Sequence, residues 1–437
     1  MLTNKLLKWA LLGGAILTAG AAFGQQVDAN TALLNALIKK GFLTTDEAKQ
    51  ISADVAKAGA GLDVGTAPAD ANIKRLTLTG RLQIQFADIG ASISNNPINP
   101  VATEAFVLRR VYLGTRVDFA NNLSGVVTYD FANDSFDAMY AEWKQSDALV
   151  LDAGLKKAPF DYEEVTSSGK LKAIERSTVT RWFDEPNNGR RLGAASYRIG
   201  LYASGTQDGF FYQVAVTNPE RNEYSGDGTS GPTVDGQSGV QTGSTAANNT
   251  LGYYGWAGYA DKFADKQGTY RFGIEGAYLP DQGGPGTTVG QGNNLKLYGA
   301  FTDVTYGIFS LQAEYLSADD PNGAGVGVSS KPWGYWVQPS VYLIPKTLEG
   351  VVRYSFINSD HRGVALSDGI RLSPSGGTMN ELNELYIGGN WYLDGSDVTL
   401  QFGYIMGESK NSTALVAPAT QPQAKAEGFR TQVQVNF

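Results

Sequence analysis

Leu76-Thr77-Leu78-Thr79-Gly80-Arg81-Leu82-Gln83-Ile84-Gln85-Phe86 sets the period on which the rest of the chain is built. Leu76, Leu78, Leu82, Ile84 and Phe86 fall at even positions, with Thr77, Thr79, Arg81, Gln83 and Gln85 between them. A strand turns successive side chains to opposite faces, so this segment has one apolar and one polar face. Its length matches the roughly 9–11 residues of a tilted strand crossing a bilayer. A strand of a soluble sandwich alternates in the same way, so the decision rests on how often the pattern recurs.

It recurs near Val107 to Phe119, Leu123 to Phe131, Ala138 to Gln145, Leu149 to Leu155, Gly193 to Ala203 and Phe210 to Thr217. Later strands are predicted near Leu251 to Ala260, Tyr270 to Leu279, Leu295 to Val304, Ile308 to Leu316, Tyr335 to Leu343, Leu348 to Phe356, Leu382 to Leu393, Val398 to Met406 and Glu427 to Phe437. With the first they make about 16, an even number within the range of outer-membrane barrels. Short connections (Ala120 to Asn122, Gln145 to Asp147, Thr305 to Gly307, Pro345 to Lys346, Asp394 to Ser396) interleave with long ones. The long ones are Ala87 to Glu104, Lys156 to Arg190, Asn218 to Asn249, Pro280 to Asn293, Ser317 to Lys331, Ile357 to Asn380 and Gly407 to Ala426. Short turns on one side and long loops on the other are the mark of a membrane barrel with both termini in the periplasm. The expected class is all-β: a transmembrane antiparallel β-barrel, residues 73–437, behind a short N-terminal periplasmic helical segment.

Composition agrees with an exported barrel. The chain has 53 Gly and 22 Tyr against 4 Met, with slightly negative mean hydropathy, and after the N-terminus no stretch approaches a transmembrane helix. Only helices and closed barrels satisfy every backbone group in lipid, which leaves the barrel. A net charge of -8 argues against nucleic acid as a partner. With no Cys, acylated lipoprotein anchoring, disulfides and thiolate chemistry are all excluded.

At the N-terminus Lys5 and Lys8 precede an apolar run from Trp9 to Ala19, and small residues follow at Ala21, Ala22 and Gly24. That order is a secretory signal over residues 1–24, with cleavage after Gly24; the apolar run is too short and glycine-broken for a spanning anchor. Residues 25–72 follow as a helical segment and linker. Leu33, Leu34, Leu37 and Ile38 share one helical face, Thr44 to Glu47 makes a capping box, and Ala48, Ile51 and Val55 stripe a second helix from Thr45 to about Lys57. This is either a periplasmic or trimer-forming element or a small hairpin without a partner. Gly59 to Asn72 is a flexible linker.

The last strand sets Phe429, Val433, Val435 and the terminal Phe437 on one face. A C-terminal aromatic closing an amphipathic strand resembles the signal read by the barrel-assembly machinery. Trp143, Tyr253, Tyr254, Trp256, Trp333, Trp336, Trp391 and Tyr392 stand near strand ends, where aromatics form the girdles at the lipid and lipopolysaccharide interface.

Two stretches resemble one family. Leu108-Arg109-Arg110-Val111-Tyr112-Leu113-Gly114, continuing through Thr115-Arg116-Val117-Asp118-Phe119 to Tyr129-Asp130-Phe131, is similar to the early strands of the phosphate-selective porin O and P family. Ala153-Gly154, Lys157, Pro159-Phe160, Glu163-Glu164-Val165-Thr166-Ser167 and Ile174-Glu175-Arg176 resemble that family's approach to its constriction loop. The likeness is dense over about Leu76 to Arg198 and departs at Leu155 and Lys156, where the family commonly has Gln and an apolar residue. It implies a 16-stranded homotrimeric porin passing small hydrophilic solutes, whose third long loop, about 156–190, folds into the barrel. Basic residues there attract anions by acting as a charged ring in a confined channel. The loop offers Lys156, Lys157, Lys170, Lys172, Arg176 and Arg181, with Arg190 and Arg191 at its end, beside Glu163, Glu164 and Glu175. Inward strand positions are mixed: Arg81, Arg116, Arg198, Arg271, Arg353 and Arg430 face Asp118, Asp130, Glu142, Glu275 and Glu349. Phosphate or other small anions are the implied solutes, and a general non-selective pore is the alternative.

Other chemistries find little support. The single histidine, His361, lies in an external loop between Asp360 and Arg362, a solvated setting rather than a catalytic one. Asp319-Asp320 and the Asp227-to-Asp235 loop match no calcium-loop spacing, and neither a P-loop nor a dinucleotide fingerprint stands in a strand-to-helix context. No cofactor is expected. A reading of another class, a nonconducting adhesin or carbohydrate-binding barrel, rests on the long Gly-rich and aromatic loops and requires a plug.

Overall fold

The computed structural model describes residues 73–93, 101–218, 251–284, 293–411 and 423–437, with residues 44 and 62–63. The expected signal peptide and N-terminal helices lie outside the described residues, apart from Thr44. Within the expected linker, Leu62–Asp63 is a short strand.

Sixteen strands cross in order: β1 Ile73–Ile93, β2 Val101–Phe119, β3 Leu123–Asp130, β4 Ser135–Ser146, β5 Leu149–Lys157, β6 Tyr197–Gln207, β7 Phe210–Thr217 and β8 Gly252–Lys262. They continue as β9 Gly268–Leu279, β10 Leu295–Tyr306, β11 Phe309–Gly325, β12 Trp333–Ile344, β13 Leu348–Asn358, β14 Glu381–Asp394, β15 Val398–Lys410 and β16 Gln423–Asn436. Each pairs antiparallel with the next, and β16 returns to β1 with Ala424 opposite Ile93 and Asn436 opposite Arg81. The sheet is closed and has no edge to satisfy in lipid. Phe437 seals the seam through two backbone bonds to Gly80, of 2.7 and 3.1 Å.

The period-two reading holds through the membrane band. Phe106, Leu108, Leu201, Phe210, Ile274 and Phe309 point outward and are exposed, while Gln83, Gln85, Gln432 and Gln434 are buried inside. Of the expected girdle, Trp143, Tyr253, Trp333 and Trp391 face outward, but Tyr254, Trp256, Trp336 and Tyr392 face the lumen. The correction is one of parity, because adjacent strand residues take opposite faces.

Several strands run further than alternation suggested. Ala87–Ile93 and Val101–Glu104 are strand rather than loop, Lys156 and Lys157 end β5, β11 extends to Gly325, and residues 407–410 and 423–426 are paired. Inward Ala87, Ile89 and Ala91 are buried in an apolar cluster inside the barrel, so both faces there are apolar and the polar signal fades. Gly193 to Ser196 is not strand, and β6 begins at Tyr197. The link between β3 and β4 is only residues 131–134, a short turn on the side of the long loops.

Candidate functional site

The segment between β5 and β6 folds into the barrel. It carries α1 (Tyr162–Val165), whose N-cap Asp161 accepts from the Glu164 N–H at 2.8 Å, and α2 (Thr178–Asp184), capped by Ser177 and buried along its whole length. So short a helix is marginal alone and needs tertiary packing. Trp182 and Phe183 supply it within the apolar cluster, and Trp182 Nε1 donates to the Gly363 carbonyl at 3.2 Å.

The wall grips this loop largely by its main chain. Glu314 on β11 accepts the N–H groups of Tyr162 and Glu163. Arg353 on β13 donates to the carbonyls of Glu175 (2.7 Å) and Arg176 (3.3 Å), and Gln401 on β15 to that of Leu171 (3.1 Å). Gln434 on β16 donates to the Gly169 carbonyl (3.0 Å), Gln83 on β1 to that of Ser168 (3.2 Å), and the Tyr254 hydroxyl on β8 to that of Ala194 (3.2 Å). The loop is thereby fastened to much of the wall from β8 through β16 to β1. Space opens between loop and wall against β2 to β6.

There, two cavities of about 370 and 350 Å³ adjoin. Both are lined by Tyr112, Asp137, Lys157, Ser168 and Tyr197, which therefore stand where the two meet. Tyr197 donates its hydroxyl to Asp137, the Lys157 ammonium lies 5.4 Å from the Tyr197 ring, and Arg81 lies 5.7 Å from the Tyr112 ring.

Two irregularities in the sheet add charge to this wall. Across β1 and β2, Gln83 faces Arg110 but Ile84 faces Leu108, so Arg109 is an extra residue. Arg109 and Arg110 consequently both turn inward and line the larger cavity. Across β3 and β4, Thr128 faces Ala138 but Tyr129 faces Phe136, and the extra residue is Asp137. A bulge re-aims a side chain in this way. A strict two-residue period assigns neither, so the sequence reading named none of Arg109, Arg110 and Asp137 as pore residues.

The residues expected at the constriction, and the lumen-facing arginines expected beside them, fall in four kinds of place. Lys157, Arg176 and Arg181 line the larger cavity, Lys156 and Arg81 the smaller, and Lys170 is exposed at a separate cavity of about 370 Å³ near Lys346 and Tyr392. Lys172 instead binds Glu349, Ser310 and Ser340 and tethers the loop. Arg353 and Arg198 are likewise buried holders: Arg353 pairs with Glu163 (3.2 Å) and Glu384 (2.8 Å), and Arg198 donates to the Tyr197 and Gly193 carbonyls. Arg116 pairs with Asp118 and Glu142, and Arg271 stands over the Phe211 ring.

Charge around the larger cavity is arginine-rich. Glu175 pairs with Arg109 (2.6 Å) and Arg371 (3.2 Å), with Arg430 at 3.9 Å; Glu185 pairs with Arg181, Arg191 and Arg371. Burial alone would raise both carboxyl groups, yet Arg109 and Arg371 hold Glu175, and Arg181 and Arg371 hold Glu185, far below the ordinary range. Arg81 and Arg110 form no ion pair among the described residues. Arg110 donates to Gln83 at 2.8 Å, and Arg81 to Ser167, Ser168 and Asn436. His361 is exposed, 3.7 Å from Asp360.

The fold is shared with outer-membrane channels of low sequence identity. The anion-selective porin of Comamonas acidovorans superposes with TM-score 0.53 at 10% identity, over 83% of this chain and 99% of that one. The DcaP channel of Acinetobacter baumannii gives 0.52 at 12% identity over 86% and 100%, and OmpF of Salmonella typhi, in complex with daunomycin, 0.51 at 11% over 85% and 100%. No curated protein sequence matches the chain. The model of the phosphate-selective porin O and P family matches residues 76–437. With the barrel, its inward loop and this match together, the chain belongs to the phosphate-selective porin O and P family and is an outer-membrane porin.

Proposed function

We propose that this porin conducts small anions, phosphate among them, in preference to cations. The observation that carries the reading is that Arg81 and Arg110 line the cavities with only neutral hydrogen-bond partners, so their charge is available to a passing anion. A charged ring in a confined channel filters by sign. The larger cavity is lined by Arg109, Arg110, Lys157, Arg176, Arg181 and Arg371 against Asp130, Asp137, Glu164, Glu175 and Glu185. That narrow surplus also favours a second reading, a general diffusion pore.

The mature chain starts at Gln25 in this reading, with both termini in the periplasm, and Phe437 engages the assembly machinery. Three copies associate through the outer face of β2 to β5, where small side chains (Gly125, Ala141, Ala153) leave a groove of about 390 Å³. Lipopolysaccharide contacts the remaining outer surface.

Single-channel recording in a planar bilayer, with ion-substitution reversal potentials and phosphate added to chloride-carried current, tests this. Anion-directed reversal with phosphate block in triple steps supports it. Weak selectivity makes the protein a general pore, and absence of conductance favours a nonconducting adhesin.

A further inference from the structure

Glu175 stands on the inward loop beside the larger cavity, ringed by arginines from three separate segments. Arg109 of β2 meets it side-on, Nε donating to Oε1 at 2.6 Å and Nη2 to Oε2 at 3.2 Å. Arg371, from the loop between β13 and β14, donates Nε to Oε2 at 3.2 Å, and Arg430 of β16 holds Nη1 3.9 Å from Oε1. Gln85 of β1 adds an amide donor to Oε1 at 2.9 Å. A guanidinium fork that receives a carboxylate in this way receives a phosphate by the same geometry. Arg109, Arg371 and Glu175 all line the cavity, so the carboxylate holds a place for which an anionic solute in the cavity competes.

One carboxylate does not balance this ring. Arg371 also reaches Glu185, which Arg181 and Arg191 already hold, so Arg109, Arg181, Arg191, Arg371 and Arg430 stand around Glu175 and Glu185. Arg430 donates Nη2 to the Arg371 carbonyl, and its Nε and Nη1 have no hydrogen-bond partner among the described residues. Donors are therefore in excess of acceptors. The main chain beneath Glu175 is fixed without the help of its side chain. Arg353 holds the carbonyls of Glu175 and Arg176 at 2.7 and 3.3 Å, and the preceding Ala173 and Ile174 are buried. The part of Glu175 left to move is the carboxylate on its flexible stem.

We propose, resting on the reading of an anion channel, that Glu175 is a built-in counter-anion: its carboxylate occupies Arg109 and Arg371 between transits, gives way to an entering oxyanion, and returns to displace it. Conduction requires binding favourable enough for a solute to enter and weak enough for it to leave. Two guanidiniums converging on one cavity without a resident competitor would hold phosphate too long. Arg81 and Arg110, whose partners are neutral, draw the anion in, and Glu175 limits how long Arg109 and Arg371 keep it.

The test is single-channel conductance of the purified full-length protein against the concentration of chloride and, separately, of phosphate. Glu175→Gln keeps the shape of the side chain and removes its charge. It should lower the phosphate concentration at half-saturation about fivefold, the effect of one charge in a partly screened lumen. The saturating conductance should fall, and phosphate should block chloride current more strongly. A carboxylate that serves only as a tether predicts the opposite, a loosened loop with larger, noisier currents and a half-saturation unchanged or raised. Glu175→Asp keeps the charge but withdraws it from the two guanidiniums; it should shift half-saturation the same way by less, and serves if the first variant fails to assemble. Conductance that stays linear with concentration, or a half-saturation unchanged or raised in the assembled variants, overturns the proposal. Wild-type reversal potentials that favour cations or neither sign instead overturn the anion reading on which it rests.

Discussion

Arg109 and Arg110 are neighbours in a β-strand and yet point the same way, into the pore, because β2 carries one residue more than β1 opposite Gln83 and Ile84. Adjacent residues of a regular strand cannot do this. The two guanidiniums are then used differently: Arg109 is neutralised by Glu175, whereas Arg110 meets only the Gln83 amide.

Arg110→Gln should consequently reduce anion preference more than Arg116→Gln, since Arg116 already pairs with Asp118 and Glu142. Removing one uncompensated charge from a partly screened lumen is worth about 1 kcal/mol, roughly fivefold in permeability ratio. Reversal potentials in a salt gradient measure it, and equal effects of the two substitutions would contradict the assignment.

Glu185 tests the opposite sign. Its depressed carboxyl contributes its ion pairs above the ordinary glutamate range, about pH 4, and loses them only as pH falls through the still lower folded value. Glu185→Gln should therefore raise anion preference at both about pH 5 and about pH 7, by releasing Arg181, Arg191 and Arg371 together. Selectivity that differs from wild type at only one of the two pH values would contradict this.

Arg353→Met leaves Glu163 and Glu384 buried without their cation and cuts the bonds to two loop carbonyls. Removing one partner of a buried pair costs roughly 3–5 kcal/mol. The barrel has many other contacts and should still assemble, so the loss is expected in the loop: larger, noisier single-channel currents and new protease cleavage between residues 158 and 196.

At the seam, a side chain at Gly80 would begin 2.1 Å from the Phe437 ring. Gly80→Val should displace that ring and destabilise the closed barrel by about 1–3 kcal/mol, as overpacking does. Heat-modifiability on gels and thermal melts in detergent follow the change.

The sequence carried the barrel because a half-buried strand writes its two faces directly into alternate residues, from Leu76 to Phe86 and again through Phe210 to Thr217. It carried the inward loop only through a family resemblance. What it did not carry are interactions between segments distant in the chain. Lys172 and Arg353 look like pore charges until Glu349, Glu163 and Glu384 are seen to hold them. Asp137 lines both cavities only because β4 slips by one residue against β3. Tyr254 and Tyr253 differ by one position, so a girdle inferred from proximity to a strand end assigned half its members to the wrong side.

The grip of the wall on the constriction loop has a consequence for how such a channel changes over generations. Arg353, Gln401, Gln434 and Gln83 hold peptide carbonyls, which every residue type offers in the same place. Substitutions along the loop can therefore alter which solute is admitted while its path stays fixed, and solute preference becomes a trait able to drift independently of the architecture that displays it.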